Sequence, residues 1–530
     1  MTPHLPIKEA QDAPMGVGPL IPPLSEMLRP LRLQVFERVR ASGLIPRVQV
    51  AKDLGVSPAT ITTLTSELID AGLIEELAQT RDTDSGRGRP AVQLGVRAKA
   101  HLVAGLKISD RETTAVIVDF AGRLLADDHI PNTPGAMTLP NLLEKMQILL
   151  DRVCAKAGIT QAQLSSVGIG VPGFVDMQKG VVLWSSILLD RNVDLARAAS
   201  AHLALPVFVD NDANLVALAE LWFGAGRGLS DFAVVTIEHG VGMGLVLNHR
   251  IYRGTSNVGM ELGHTKVQLD GALCRCGQRG CLEAYVADYA LAREATTALN
   301  WGHKEGQSIA VLLESLYDHA KAGNATARSI FRRAGRYLAV GLSNVVNLFD
   351  PALIILSGER MRYDYLYSAE TLAEMDTLVI ATGRPRPPIE IHAWGDLLWA
   401  HGAAALALST TTEQLLSNLL ENSLRYTSSP GQIQVRWRLQ QEVVLLTVED
   451  STPGVAAEHL HRLFEPLFRL DIARTRTGQH GSGLGLSIVR AIVQAHQGKV
   501  QAKPSPLGGL TIEVALPLQP QTAERKQASA

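Results

Sequence analysis

Three of the four cysteines in this 530-residue chain fall within eight residues, as Cys274-x-Cys276-x4-Cys281, and His264 stands ten positions before the first of them. One imidazole and three thiolates form the donor set of a closed tetrahedral zinc site, which leaves no open position for a reactive water. Gly277 and Gly280 give the backbone the freedom to wrap an ion. The expectation is one structural zinc on His264, Cys274, Cys276 and Cys281, with metal binding coupled to the folding of that part of the chain. Cys154 stands alone and reads as a buried apolar residue.

Clustered cysteines favour metal over disulfides where the chain is not exported. No apolar run reaches the roughly 18 residues that span a bilayer. The longest candidate, Tyr337 to Phe349, is too short and is followed by Asp350. The N-terminus carries Pro3, Pro6, Pro14, Pro22 and Pro23 and lacks the apolar stretch of a signal peptide. A cytoplasmic protein without a membrane partner is expected. A formal net charge of −2, with 46% hydrophobic and 19% charged residues, means that any nucleic-acid surface must be local.

The length allows about three to four domains, and changes of pattern place them. Residues 1–25 are Pro-rich and read as a flexible arm. Residues 26–98 carry helical patterns. Leu33, Val35, Phe36 and Val39 make one amphipathic face, and a short helix from Val48 to Leu54 precedes Gly55. A third helix starts at Ser57-Pro58, with Ile61, Leu64, Leu68 and Ile69 at helical spacing. Residues 99–408 open with a strand meander, Val103 to Ile108, Thr114 to Asp119 and Arg123 to Asp128, around an Ala121-Gly122 turn. They continue as alternating helix and strand, the pattern of α/β layers. Residues 413–518 form a different α/β unit, and 519–530 a disordered tail. The fold class expected is α/β multidomain.

In the first of these units, two short helices joined by a tight glycine turn have the geometry that sends the second helix into a major groove. Its exposed face offers Ser57, Thr60, Thr62, Thr63 and Ser66, whose hydroxyls suit base edges or phosphates. Gly86-Arg87-Gly88-Arg89-Pro90 follows as a wing, and Arg87 and Arg89 on flexible glycines suit a narrow minor groove. A winged helix-turn-helix is expected.

In the second unit, Val209-Asp210-Asn211-Asp212-Ala213-Asn214 follows an apolar strand. A carboxylate at a strand end is placed as a general base for a sugar hydroxyl, and a turn or helix N-cap would use the same residues. Three more segments accompany this run: Val167-Gly168-Ile169-Gly170-Val171-Pro172-Gly173, Glu261-Leu262-Gly263-His264 and Gly280-Cys281-Leu282-Glu283. With them the chain resembles the ROK family (repressors, open reading frames, kinases) from about Leu31 to Leu408, and its wing resembles the glucose-responsive, Mlc-like repressor branch. The resemblance implies two actin-like lobes with a cleft between them, and Asn211, Asp212, Glu261, His264 and Glu283 lining a sugar pocket. In the family's kinases Asp212 would be the base. Those kinases open with Asp-x-Gly-Gly-Thr, whose backbone amides cradle phosphate. Here Lys107-Ile108-Ser109-Asp110-Arg111 stands instead, without the glycines and with an aspartate where phosphate would lie. Asp212 is therefore a vestigial base, and no catalytic residue and no sugar kinase activity are expected.

The third unit carries five motifs in order. They are Asn418 to Tyr426 on a helix, Val448 to Val455 at a strand end, Phe464 to Phe468, Gly481-Ser482-Gly483-Leu484-Gly485, and Gly508 to Thr511 before a strand. A glycine loop at a helix N-terminus holds phosphates, and an asparagine carbonyl holds magnesium. The segment from about Glu413 to Leu518 resembles the GHKL ATP-binding domain of sensor histidine kinases, of the BaeS type. The resemblance implies that Asn418 and Asn422 face magnesium and phosphate. It also implies that Asp450 reads adenine next to Gly454, and that Gly481, Gly483 and Gly485 form the lid loop. The strand and Asp-x-x-Arg segment that precede the asparagine helix in that family are absent, and Leu408 to Thr412 stands there instead. No histidine is followed by Glu or Asp, so the phospho-acceptor box is missing. A working ATP and magnesium site and an inactive fused fragment both remain open.

The function expected is repression of sugar-uptake or sugar-metabolism genes by a dimer or tetramer on operator DNA. A sugar inducer or a protein of the phosphotransferase system would release it. The alternative is a histidine kinase or ATPase acting in trans through residues 413–518.

Overall fold

A computed structural model of the chain describes residues 7–8, 16–20, 31–70, 72–77, 92–133, 135–299, 308–380, 383, 385–392, 397–426, 432–440, 443–451, 454–465, 486, 489–490, 493 and 498–517.

Two stretches of the N-terminal arm, residues 7–8 and 16–20, contact the body. Ile7–Lys8 (β1) adds a parallel strand beside Ile391 and His392. Val17 is buried, and the Val17, Gly18 and Leu20 amides donate to the carbonyls of Arg40, Trp222 and Arg227. Proline removes only its own amide; the amides between the prolines still need partners.

The next unit runs α1 (Leu31–Ser42), β2 (Leu44–Pro46), α2 (Arg47–Leu54), α3 (Pro58–Asp70), β3 (Ile74–Leu77) and β4 (Gln93–Val96), with a sheet of order β2-β4-β3. Gly55 ends α2 at φ 64°, a left-handed cap that glycine adopts without a Cβ clash. Ser57 Oγ accepts from the Thr60 N–H at 3.1 Å and so caps α3. Val35, Phe36 and Val39 of α1 pack with Ile61 and Leu68 of α3 in a cluster that continues into the body of the protein. The wing glycines and Arg87 and Arg89 lie outside the described residues.

The first lobe of that body comprises β5 (Leu102–Ile108), β6 (Glu112–Asp119), β7 (Leu124–Pro131), α4 (Leu139–Ala157), β8 (Leu164–Val171), β9 (Phe174–Asp176), β10 (Val181–Trp184), β11 (Val193–Asp194), α5 (Leu195–Leu203), β12 (Val207–Asn211) and α6 (Asp212–Phe223). The second comprises β13 (Phe232–Ile237), β14 (Val241–Leu247), β15 (Arg250–Tyr252), α7 (Glu283–Val286), α8 (Asp288–Ala298), α9 (Ile309–Lys321), α10 (Ala325–Phe349), β16 (Ile354–Ser357), α11 (Ala369–Leu378) and β17 (Ile389–His392). Their main sheets read β12-β8-β5-β6-β7 and β1-β17-β16-β13-β14-β15. In each, an antiparallel three-strand meander is extended by two parallel strands beyond its first member, and in the second sheet β1 adds a third. The lobes are thus topological copies, the actin-like arrangement. Cys154 is buried in the first lobe, as expected.

A single helix, α12 (Leu397–Tyr426), follows. It packs on β5, β6, β8 and α6. A Cβ on Gly105 would lie 2.1 Å from the Ala400 carbonyl oxygen, and one on Gly168 1.9 Å from that of Ala403, so only glycine admits the helix this close. The last unit is the antiparallel sheet β18-β19-β21-β20, from β18 (Ile433–Gln440), β19 (Val443–Ser451), β20 (Lys499–Pro504) and β21 (Gly508–Pro517). Val448, Phe464, Val489, Val493, Ile512 and Val514 form its core. The break expected between residues 408 and 413 falls inside α12, which belongs to both units. Among the described residues no helix is long and apolar enough to cross a membrane.

Candidate functional site

β12 ends at Asn211 and α6 begins at Asp212, so the run turns a strand end directly into a helix cap. Asn211 is the N-cap: Oδ1 accepts from the amides of Ala213 and Asn214 at 2.9 and 3.4 Å, and Nδ2 donates to the Gly173 carbonyl at 2.7 Å. Asp210 is fully buried. Arg253 forks onto its Oδ2 at 2.9 and 2.5 Å, while Oδ1 accepts from the Asn214 amide group at 3.1 Å. Asp212 Oδ1 accepts from the Ala213 amide at 2.9 Å. Burial pushes its carboxyl up to about 6, Lys107 pulls it down and Glu238 pushes it further up. Burial pushes Glu261 up to about 7, and the charges of Asp212 and Glu283 add to the shift. Glu261 therefore feels the charges of two other sequence-predicted pocket residues, Asp212 and Glu283.

The segment where family kinases cradle phosphate is filled by charge pairs that cross from one lobe to the other. Lys107 is buried in β5, with Nζ 4.0 Å from Glu238 and 4.0 Å from the centroid of the Trp399 ring. Asp110 Oδ1 lies 3.3 Å from His239 Nε2, and Arg111 Nη2 4.0 Å from Asp288 Oδ2. Asp288 in turn accepts from Arg360 at 2.5 and 2.6 Å and pairs with His239 Nδ1 at 2.9 Å. Those partners hold the Asp288 carboxyl below the usual range against the cost of its burial. Glu238, His239, Asp288, Arg360 and Trp399 were not legible as site residues. The one sequence signal was Lys107, a charge inside an otherwise apolar strand.

The four predicted metal ligands converge. Their ligand atoms all lie within 4.8 Å of one another, with His264 Nδ1 3.7 Å from Cys274 Sγ and Cys276 Sγ 3.7 Å from Cys281 Sγ. Tetrahedral zinc with Zn–S bonds of about 2.3 Å has sulfur–sulfur edges of about 3.8 Å, so the cradle fits that ion. Gly277 and Gly280 sit at φ 85° and 75°, and a Cβ on Gly280 would lie 1.6 Å from the Gln268 carbonyl oxygen. Burial pushes the Cys274 thiol up to about 12. Lys266 Nζ stands 2.9 Å from Cys281 Sγ, and Tyr289 donates to Cys274 Sγ at 3.6 Å. Glu283 joins the cluster to the lobe interior, with Oε1 3.6 Å from Cys274 Sγ and Oε2 accepting from the Val241 amide at 3.3 Å. His264 sits with the thiols.

On α3, Ser57, Thr60, Thr62 and Thr63 are exposed. Thr62 donates its hydroxyl to the Pro58 carbonyl at 2.8 Å and Thr63 to that of Ala59 at 3.3 Å. Each hydroxyl spends its proton on the helix and keeps acceptor lone pairs, which suit the amino groups of cytosine and adenine.

Residues 103–410 match the ROK family. The chain belongs to the ROK family. Residues 408–520 match the histidine kinase-, DNA gyrase B-, and HSP90-like ATPase family. The N-acetylglucosamine regulator NagC of Escherichia coli is 28% identical over 393 residues, covering 73% of this chain and 95% of NagC. The E. coli repressor Mlc is 30% identical over 327 residues, 61% of this chain and 79% of Mlc. A ROK-family transcriptional regulator described as a homolog of E. coli Mlc superposes with a TM-score of 0.60 at 27% identity, over 72% of this chain and 96% of that one. This ROK protein shares its two-lobed body and N-terminal helical unit with that regulator over 72% of the chain.

In its ATPase-like unit, Asp450 is buried and its Oδ1 accepts from the Leu510 amide at 2.6 Å. A Cβ on Gly509 would lie 2.3 Å from that oxygen, and one on Gly454 3.1 Å from the Gly508 carbonyl oxygen. The Asp450 carboxylate thus sits in a corner walled by glycines. Asn418 and Asn422 lie on α12. Gly481, Gly483 and Gly485 lie outside the described residues.

Proposed function

We propose that the chain is a sequence-specific DNA-binding repressor of sugar-uptake or sugar-metabolism genes, without sugar kinase activity. The reading rests on the exposed Ser57, Thr60, Thr62 and Thr63 at the start of α3, in a unit that shares one apolar cluster with a ROK body. Ser57, Thr60, Thr62 and Thr63 read the major groove, and Arg87 and Arg89 enter the minor groove. Two copies, or four, present two recognition helices to a palindromic site. The inducer, a sugar near Asp212, Glu261 and Glu283 or a phosphotransferase-system protein, rotates the lobes and changes the spacing of those helices. A zinc ion on His264, Cys274, Cys276 and Cys281 holds the second lobe in shape. Asn418, Asn422, Asp450, Gly454 and the Gly481-to-Gly485 loop bind ATP with magnesium. The working units are 26–98, 99–408 and 413–518, the last two joined by α12.

Footprinting on fragments of the source genome tests this reading. A protected palindrome upstream of sugar genes supports it; binding without preference for any fragment rejects it. The match of residues 408–520 favours a second reading, a kinase or ATPase acting in trans. Phosphate transfer from ATP to any protein, dependent on Asp450, would establish it.

A further inference from the structure

We propose that nucleotide bound to the C-terminal unit is an effector of DNA binding, transmitted through α12; this rests on the nucleotide-site reading above. The helix has 30 residues, a rod of about 45 Å at 1.5 Å per residue. Its first half is locked into the ROK body. Ala400, Ala403, Ala404, Ala405, Ala407 and Leu408 are 0% exposed, and Ser166 bonds Thr411 at 2.7 Å. Its second half carries Asn418 and Asn422. Between residues 403 and 426 there is no glycine and no proline, so nothing in the sequence favours a hinge.

The same rod adjoins the DNA-binding unit. Leu406, Ser409 and Thr410 line one wall of a cavity of about 290 Å³, and Gln34, Glu37 and Arg38 of α1 line another. Leu406 and Leu408 belong to the apolar cluster that contains Val35 and Phe36 of α1 and Ile61 of α3. A displacement of α12 by nucleotide therefore reaches both the lobe sheet and the base of the recognition helix. Packed interiors respond by shifting as units, not by local compression.

The test uses the full-length chain and its footprinted operator, with a non-hydrolysable ATP analogue plus magnesium. A fluorescent ATP analogue reports occupancy separately. Operator affinity should change about fivefold or more at saturation, within the usual range of allosteric coupling. Operator DNA should change nucleotide affinity by the same factor. Inserting Gly-Gly after Glu413 should leave nucleotide binding and basal DNA binding in place and abolish the coupling. Asp450→Asn should lose nucleotide binding and the response together. Bound nucleotide with unchanged operator affinity overturns the proposal alone. Absence of nucleotide binding overturns it together with the nucleotide-site reading. Coupling that persists through the Gly-Gly insertion overturns the route through α12.

Discussion

Arg360 grips Asp288 through two short hydrogen bonds, 2.5 Å from Nε and 2.6 Å from Nη2, with both side chains 1% exposed. Arg111 reaches the same carboxylate from the other lobe at 4.0 Å. One buried carboxylate thus ties α8 to the segment after β16 and faces the place where a kinase would hold phosphate.

Removing that carboxylate takes two hydrogen bonds and an opposite charge from the buried Arg360 guanidinium. Asp288→Ala should cost about 3–5 kcal/mol of stability, the usual penalty for breaking a buried pair from one side. Chemical denaturation of both proteins measures it. A loss under about 1 kcal/mol would mean that the pair is open to water.

The same charge pairs predict that the kinase cannot be recovered by restoring glycines alone. Asp110→Gly with Arg111→Gly removes two of the cross-lobe pairs but leaves His239, Asp288 and Lys107 in the phosphate region. Sugar-dependent ATP consumption should stay at background. Turnover by the double variant would show that those groups do not block phosphate.

Asp212 gives the middle unit a pH signature. Its folded carboxyl sits at about 6, above its ordinary value of 3.8, mainly through burial. The neutral form is therefore favoured by folding. Its contribution is complete below about 3.8 and is lost as pH rises through 6. The charges that face it are Lys107, Glu238 and Glu261. Asp212→Asn should flatten the fall in thermal stability between pH 4 and 7, by at most about 3 kcal/mol. An unchanged profile would place the group in water.

Freshly purified, chelator-free protein should contain about one zinc per chain. Cys281→Ser should lower zinc content and loosen the second lobe in proteolysis, because metal binding and folding are coupled. Protein that elutes metal-free and equally protease-resistant would contradict this.

Autophosphorylation is not expected from the C-terminal unit. Weak ATP binding, micromolar to millimolar and dependent on Asp450, should occur without phosphohistidine, since no histidine is followed by Glu or Asp. DNA binding should survive removal of the unit. The cut belongs after Glu413 and not after Leu408, because Thr411 is 5% exposed and bonded to Ser166. Base-stable, acid-labile label from ATP on this chain would point to another phospho-acceptor and move the kinase reading to first place.

Local features were the legible ones. The β5–β7 meander follows from successive strand-forming runs around a glycine turn, and the metal cradle from donor type and spacing. The Asn211 cap was one of two readings of the same run, and only the hydrogen bonds show which oxygen does what. The Asp110–His239 and Arg111–Asp288 pairs join segments far apart in sequence, so no window of residues displays them. The continuity of α12 was hidden for a different reason. A change of family at residues 408–413 suggests a linker, yet helix propagation depends only on residue propensity and packing. Residues 403–426 contain no breaker.

The central claim is sequence-specific operator binding, and equilibrium binding of the full-length protein to genomic fragments across a salt series tests it most directly. The account predicts a strong preference for one A·T-rich palindrome. Changing Arg87 and Arg89 together to Ala should weaken that binding and lower its salt slope, by about one unit for each phosphate no longer neutralised. Wild-type binding that prefers no fragment, with the same slope after both arginines are removed, would contradict it.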